Sequence, residues 1–332
     1  MKLLRHSRAP RRRNRGLSLI ELLVSMVIGL VIMIAVVSAY IGASGATRVA
    51  EAQARMNEDA QAALTILSQQ LRMAGNNPKQ PNYEATNQRN PVYAGGSYIV
   101  RGCDGRFTDV ATASDIAALT CAAGGGTAPD SIGLSYEADR YNTVPTAGGI
   151  PTDCLGQALT VVSAVRNIWD TTAMASVPSV VTFTVAENRF YVGTSTSVVA
   201  PSLYCKGNGG ATGQSLVENV EDLQFFYGTA PATATPSTLA VAGYLNASAD
   251  ANGILSIQTA PSLVALPDDP SRWAQAVSVR LCVLVRSEKT VAPDFDSARY
   301  VKCDGTVDTN PPDLRLRRAY STTVVLRNRI PS

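Results

Sequence analysis

Residues 17–47 read LSLIELLVSMVIGLVIMIAVVSAYIGASGAT and contain one charged residue, Glu21. An apolar run of this length can cross a hydrocarbon core of about 30 Å as a helix. The preceding segment, residues 1–16, carries seven basic residues and no acidic one. Because a basic flank stays in the cytoplasm, the sequence predicts a single membrane span with the C-terminal bulk of the chain on the far side.

The basic balance of the chain comes from its first 16 residues. The whole sequence has 29 Lys and Arg against 26 Asp and Glu, a formal net charge of +3. Without the seven basic residues of the first segment, 22 basic residues face 26 acidic ones, which leaves residues 17–332 at about −4. A nucleic-acid-binding domain carries a basic surface on its folded part, so no nucleic acid is expected as a partner.

An ordinary secretory signal is the first alternative for this N-terminus. The apolar run is too long for the core of such a signal, and no small-residue cleavage site with a mature domain directly behind it is evident. Glu21 needs its own explanation, because a carboxylate costs roughly 2.5–3.5 kcal/mol at the centre of a membrane helix. It either reaches water at the membrane interface or pairs with a cation.

Residues 15–24 (RGLSLIELLV) resemble the type III signal of type IV prepilins and type II secretion pseudopilins. The resemblance implies that a prepilin peptidase and N-methyltransferase cuts between Gly16 and Leu17 and methylates the new amine of Leu17. Glu21 is then the fifth mature residue, the family's acidic position, whereas Leu17 departs from the family's usual Phe. A pair between this carboxylate and the ammonium of a neighbouring subunit, or of its own Leu17 before assembly, would offset the desolvation of both groups.

An amphipathic pattern follows the apolar run. Apolar residues recur at spacings of three and four, which is the period of a helix with one buried face. These residues are Val49, Ala52, Met56, Ala60, Ala63, Leu64, Leu67 and Leu71. Gly75, followed by two Asn and a Pro, is a stop signal. The sequence therefore predicts one helix over residues 17–75, with residues 17–47 as its transmembrane and filament-core part.

Residues 76–332 predict a β-rich domain, which we expect in the periplasm. Several stretches alternate between apolar and polar residues, and such alternation favours antiparallel sheets with one covered face. The candidate strands are Ser97–Cys103, Ser131–Tyr136, Ala158–Val165, Leu223–Tyr227, Ala276–Val285 and Ala319–Leu326, with a hairpin of Val180–Val185 and Arg189–Val192 turning at Glu187-Asn188. The expected fold class is therefore α+β and pilin-like, with a long N-terminal helix packed on a large antiparallel β-rich domain.

Six cysteines lie in the predicted periplasmic domain, and none forms a C-x-x-C pair. No histidine follows His6, so a zinc site made from Cys and His is not expected. An even count in an oxidising compartment favours disulfides, and the alternative is that some cysteines are buried free thiols. Although the sequence does not fix the connectivity, we expect sequence neighbours to pair. The expected pairs are Cys103–Cys121, Cys154–Cys205 and Cys282–Cys303.

No catalytic, cofactor or metal site is expected. A mature chain without histidine excludes Ser-His and Cys-His mechanisms, and the sequence contains no Walker, nucleophile-elbow or H-E-x-x-H motif. For several acidic groups a calcium loop is the alternative, since some pilin relatives use one. These groups lack the spacing of an EF-hand loop, so we expect them to lie in solvated turns. These groups are Asp268-Asp269, Asp294 with Asp296, and Asp304 with Asp308 and Asp313.

Three further stretches resemble the PilW-like minor pilins of type IV pili. They are residues 67–75 (LSQQLRMAG), 217–228 (VENVEDLQFFYG) and 323–328 (TVVLRN). The resemblance implies a structural subunit, not an enzyme, in a small minor-pilin complex that starts pilus assembly and sits near the pilus tip. The implied partners are other minor pilins, the major pilin, the inner-membrane assembly platform and inner-membrane lipid, in a Gram-negative bacterium.

Two other functions compete with this interpretation. A minor pseudopilin of a type II secretion system would share the helix and the cleavage site. A membrane-bound sensor that binds a ligand with its β domain is the third class, but a simple anchor needs neither Gly16 nor Glu21. Residues 76–332 are bulky for a subunit that is packed in many copies, which favours a minor over a major pilin.

Overall fold

The computed structural model describes residues 16, 18–80, 89–93, 97–122, 128–230, 241, 243–247 and 273–329. Residues 1–51 and residues 52–332 form two units. One helix, α1 (Leu19–Met73), runs from the first unit into the second. The described strands of the second unit are β1 (Val100–Cys103), β2 (Ser131–Ala138), β3 (Val161–Asp170), β4 (Ala175–Gly193), β5 (Ser202–Lys206), β6 (Gln214–Glu218), β7 (Val220–Thr229), β8 (Gly243–Asn246), β9 (Ala276–Thr290), β10 (Tyr300–Val301), β11 (Val307–Asp308) and β12 (Arg315–Val325).

The part of α1 that belongs to the second unit buries one face. Its buried residues follow each other at spacings of three and four, as the sequence predicted. They are Met56, Ala60, Ala63, Leu67 and Leu71. These side chains share a hydrophobic core with residues of both large sheets described below.

The C-terminal end of α1 is capped from the far end of the chain. Gly75 follows the helix with φ +76°, a left-handed conformation that glycine adopts without strain and that ends many helices. The side-chain amide of Asn328 lies 3.0, 3.3 and 3.2 Å from the carbonyl oxygens of Arg72, Met73 and Ala74. It donates to carbonyls that have no partner within the helix.

Two antiparallel sheets form the body of the second unit. In the first, the strand order is β1-β2-β4-β5-β6, and β3 pairs with β4; in the second, the order is β12-β9-β7-β8. A separate pair consists of β10 and β11. The chain passes from the first sheet to the second at Asn219, which has a φ of 62° between β6 and β7. The arrangement confirms the predicted α+β class with antiparallel sheets.

Strand β9 is the most buried strand of the second sheet, and it lies between β12 and β7. Val279, Leu281, Val283 and Val285 are fully buried on one face, as their alternation predicted. The other face is covered in part: Cys282 is 5% exposed and bonds to Cys303, and Leu284 is 4% exposed, whereas Arg280 is exposed. The expected covered face is therefore confirmed, and much of the second face is covered too.

The predicted hairpin turn at Glu187-Asn188 was also wrong. The chain continues through both residues as part of β4, a strand of 19 residues. Asn188 is buried, and its side-chain amide donates to the side-chain oxygen of Gln70 at 2.8 Å, while its oxygen accepts the backbone N–H of Cys154 at 3.1 Å. Because tertiary partners satisfy this polar side chain, it is compatible with a central strand.

The six cysteines form three disulfides, and each joins a strand to a loop. Cys103 of β1 bonds to Cys121, Cys205 of β5 bonds to Cys154, and Cys282 of β9 bonds to Cys303. They are pairs of sequence neighbours, and no cysteine is free. The bonds close loops with sequence separations of 18, 51 and 21 residues.

Candidate processing and assembly site

The residues expected to direct processing and assembly lie at the start of α1. Gly16 is exposed, whereas Leu17 and the first 15 residues of the expected leader lie outside the described residues. Ser18 directly precedes the helix, which begins at Leu19. The backbone N–H of Leu22 donates to the carbonyl of Ser18 at 3.2 Å, which is the first hydrogen bond of the helical ladder.

Ser18 and Glu21 cap this helix end reciprocally. The backbone N–H of Ser18 donates to Oε2 of Glu21 at 2.9 Å, and the backbone N–H of Glu21 donates to Oγ of Ser18 at 3.3 Å. This is a capping box, in which two N–H groups that have no partner within the helix are satisfied by side chains. The negative charge also lies at the positive end of the helix dipole.

The capping bond directs the Glu21 carboxylate towards the beginning of the chain. Its acceptor oxygen binds the amide of Ser18, the residue that follows the expected new N-terminus at Leu17. The signal for this arrangement, a Ser followed three residues later by a Glu, is visible in the sequence. Sequence reasoning missed it because Glu21 was considered only as a charge in a membrane. Glu21 therefore has a local role in the helix besides any role between subunits.

The segment of α1 around and beyond Glu21 is apolar and uncovered. Large apolar side chains from Leu19 to Ile41 are between 51% and 80% exposed. By length and composition this helix can cross a membrane, and none of its most apolar window is buried. A shallow groove beside Glu21 is lined by Ile20, Val24, Ser25 and Ile28. The carboxylate therefore sits at the edge of a surface that is suited to lipid or to neighbouring apolar helices.

The acidic groups outside α1 do not form a metal site in the described residues. No group of three or more His, Cys, Asp or Glu side chains there could hold a metal ion. Asp294 accepts the backbone N–H of Ser297 at 2.7 Å, and Asp304 accepts that of Thr306 at 2.7 Å. Hydrogen bonds from the side chains and backbones of Ser297 and Thr306 lower the pKa of both carboxyls. These two are turn residues, as expected, whereas residues 268 and 269 lie outside the described part.

One buried and one half-buried carboxyl in the second unit, Asp130 and Glu187, have raised pKa values. Asp130 accepts the backbone N–H of Gly105 at 3.0 Å and that of Phe225 at 2.8 Å. Burial nevertheless raises its pKa to about 8. Burial, together with repulsion from Asp115, raises the pKa of Glu187 to about 7. Asp130 ties a loop to β7, so its ionisation affects stability.

Two known protein families match parts of this chain. Residues 11–37 match the prokaryotic N-terminal methylation motif, which spans the expected cut and Glu21. Residues 189–328 match the family described as type IV pilus-assembly protein W, and this range ends at Asn328. No curated protein and no solved structure is significantly similar to the chain.

The apolar helix, the capped acidic residue and the methylation motif define a pilin-like protein of the type IV prepilin superfamily. Within that superfamily the chain is PilW-like, since the family match covers residues 189–328 and includes two of the three stretches that resembled this subgroup. The resemblance found in the sequence is thus confirmed at both levels. The protein is a pilin related to type IV pili, and these matches indicate a structural subunit rather than an enzyme.

Proposed function

We propose that this protein is a minor pilin that helps to initiate assembly of a type IV pilus and lies near its tip. A prepilin peptidase cuts between Gly16 and Leu17 and methylates Leu17. Residues 17–47 then hold the subunit in the inner membrane of a Gram-negative bacterium, with residues 76–332 in the periplasm. The subunit joins other minor pilins and the major pilin through the inner-membrane assembly platform.

The observation that carries this proposal is the position of Glu21. Its carboxylate lies on an uncovered apolar helix and is directed to the amide of Ser18, next to the expected N-terminus. A carboxylate there can exchange its capping bond for a methylated ammonium, either that of its own Leu17 or that of a neighbouring subunit. The three disulfides support an oxidising compartment such as the periplasm.

The charge-pairing role can be separated from the capping role, because glutamine serves in a capping box as well as glutamate does. Glu21→Gln keeps the cap and removes the charge. If Glu21 pairs with an ammonium, this variant should be cleaved and inserted into the membrane but should not join other pilins. The unpaired ammonium in an apolar setting costs about 3–5 kcal/mol.

Three further variants complete this test. Glu21→Ala should fail like Glu21→Gln, whereas Ser18→Ala, which weakens only the cap, should assemble nearly normally. Glu51→Ala, at an exposed acidic position further along α1, is the matched control. The measurements are recovery of partner pilins from detergent-solubilised membranes and the number of surface pili. Normal assembly of Glu21→Gln together with a defect in Ser18→Ala would show that capping is the whole role of Glu21.

The choice between a pilus and a secretion system has its own test. The match to a pilus-assembly family favours the pilus, and deletion of the gene should then abolish surface pili and leave protein secretion intact. Loss of secretion with normal pili would support the minor pseudopilin alternative instead.

A further inference from the structure

The bulky apolar part of α1 beyond Glu21 has the length of a hydrocarbon core. It comprises the 20 residues Leu22–Ile41, and Arg48 is the next charged residue of the helix. At a rise of about 1.5 Å per residue, this stretch extends about 30 Å, which is the thickness of the core. Glu21 and Arg48 are 27 positions apart, or about 40 Å, which is close to the thickness of the core with both headgroup layers. A subunit with Leu22–Ile41 in the hydrocarbon therefore has these two charges in the two polar layers.

The residues after Ile41 suit the headgroup layer rather than the hydrocarbon. Tyr40 is 73% exposed, and aromatic rings with a polar tip are enriched at the boundary between membrane and water. Residues 42–47 read GASGAT and contain no large apolar side chain, so the hydrophobic effect favours their transfer into hydrocarbon only weakly. The bulky apolar surface of the helix therefore ends at Tyr40 and Ile41, about two turns before Arg48.

The helix directs the Arg48 side chain back towards the membrane. Side chains of an α-helix lean towards its N-terminus and cover the residues three and four positions earlier, which for Arg48 are Gly45 and Ser44. The space that a Cβ of residue 45 would occupy is open. The Ser44 hydroxyl donates to the carbonyl of Ile41 at 2.9 Å, so it is turned onto the helix. Among the described residues, the Arg48 side chain therefore has an open path along the helix to the phosphate layer.

The guanidinium of Arg48 has no counter-charge in the part of the chain that the structure describes. The residue is exposed, and no ion pair or hydrogen bond joins its side chain to another described residue. Glu51 lies three positions later, on the side away from the membrane. Arg55, by contrast, has its own carboxylate, because its Nη1 lies 3.4 Å from Oε2 of Glu288. Since a guanidinium binds phosphate through paired hydrogen bonds, lipid phosphate is the anion that suits Arg48 at this depth.

We infer that Arg48 binds phospholipid phosphates of the periplasmic leaflet and thereby fixes the depth of the mature subunit in the membrane. The hydrocarbon-spanning part is then Leu22–Ile41, which is shorter than the expected span of residues 17–47, and residues 42–47 lie in the headgroup layer. Cleavage removes the seven basic residues of the leader, so Arg48 is the basic side chain that remains next to the span. The contact requires a membrane-anchored mature subunit and so rests on the proposed function.

Thiol labelling in the membrane tests the depth of the helix. The native cysteines are all in disulfides, so a cysteine introduced by substitution supplies the reactive thiol. A membrane-impermeant maleimide, added to cells with a permeabilised outer membrane, should label Ala46→Cys but not Val31→Cys, which lies in the middle of Leu22–Ile41. If neither variant is labelled, the span includes residue 46; this inference then fails and the membrane anchor stands. Labelling of both variants would refute the membrane anchor of the proposed function as well.

Solid-state NMR tests the phosphate contact directly. The sample is the full-length mature protein with ¹³C-labelled arginine, in vesicles of phosphatidylethanolamine and phosphatidylglycerol. Lipid ³¹P should dephase one arginine Cζ signal. Arg48→Lys lacks this carbon and should lose the dephased signal, whereas Arg72→Lys, the same change at an exposed arginine in the last turn of α1, should keep it. A wild type without a dephased signal, or an unchanged signal in Arg48→Lys, would overturn the inference.

Two further measurements test the source of the phosphate and the effect on depth. In a maltoside detergent with inorganic phosphate and no phospholipid, the arginine signal should show no dephasing; dephasing there would indicate a site for any phosphate and refute the lipid contact. In the Ala46→Cys background, Arg48→Gln should slow maleimide labelling about fivefold, equivalent to about 1 kcal/mol, because residues 42–47 can then sink into the membrane. Arg48→Lys keeps the charge and should be labelled at the rate of the Ala46→Cys parent. An equal rate in Arg48→Gln would show that Arg48 does not fix the depth.

Discussion

The cap that Asn328 provides for α1 leads to a quantitative prediction about stability. Its amide group has two hydrogens, and three carbonyl oxygens of the last helical turn lie within 3.0 to 3.3 Å. At most two bonds form at one time, and each contributes about 0.5–1.5 kcal/mol net. Asn328 is exposed, so water can replace part of these bonds when they are lost. Asn328→Ala should therefore lower the free energy of unfolding of the second unit by about 1–2 kcal/mol.

A second substitution makes this test sharper. Asn328→Asp keeps the size of the side chain but removes both donors and places a negative charge at the negative end of the helix dipole. It should cost about 0.3–1 kcal/mol more than Asn328→Ala. In a unit of roughly 280 residues, the alanine variant should lose about 2–3 °C in Tm, and the aspartate variant should lose more.

The assay is thermal unfolding of the full-length mature protein in detergent, in which limited proteolysis reports the extent of unfolding. Asn310→Ala removes an exposed asparagine side chain elsewhere on the same unit and is the control. It should change the free energy by less than about 0.5 kcal/mol. An aspartate variant as stable as the wild type, or an alanine variant indistinguishable from the control, would refute the capping role.

Two further predictions concern the second unit. Replacing Cys282 and Cys303 together by Ser removes a disulfide with a sequence separation of 21 residues. In the loop-entropy account this should lower the free energy of unfolding by about 3 kcal/mol. Six free thiols, found by alkylation mass spectrometry of natively produced protein, would contradict this prediction. For Asp130 and Glu187, the folded state holds protons more tightly than the unfolded state does, because their pKa values are raised to about 8 and about 7. The free energy of unfolding should therefore fall as pH rises from about 4 towards 8. Asp130→Asn should make this pH dependence weaker. A free energy of unfolding that rises over the same pH range would contradict the prediction.

The sequence predicted the helix well because its signals are local and repeated. A single helix, Leu19–Met73, contains both the apolar run and the predicted buried residues, which are Met56, Ala60, Ala63, Leu67 and Leu71. Strand predictions were less complete, since short strands have few residues in which to show a period. Strands β5, β6 and β8 were all missed, and each has five residues or fewer.

Features that depend on distant partners could not be predicted from a local pattern. The polar pair Glu187-Asn188 indicated a turn, but Asn188 is satisfied by Gln70 of the helix, which lies 118 residues earlier. The cap from Asn328 likewise reaches carbonyls about 255 residues away. At the candidate site, the roles that the motif predicts for Gly16, Leu17 and Glu21 stay predictions. The capping bond of Glu21 was recognised only in the structure, although its sequence signal was present.

The central claim is that a peptidase removes the leader and leaves Leu17 as the methylated first residue of an assembling pilin. The most direct measurement is mass spectrometry of the N-terminal peptide of the protein purified from its own membranes, in the wild type and in Gly16→Val. The wild type should begin at Leu17 with one methyl group on the amine, and Gly16→Val should keep the full leader. A wild-type chain that begins elsewhere, or an unmethylated Leu17, would contradict this account.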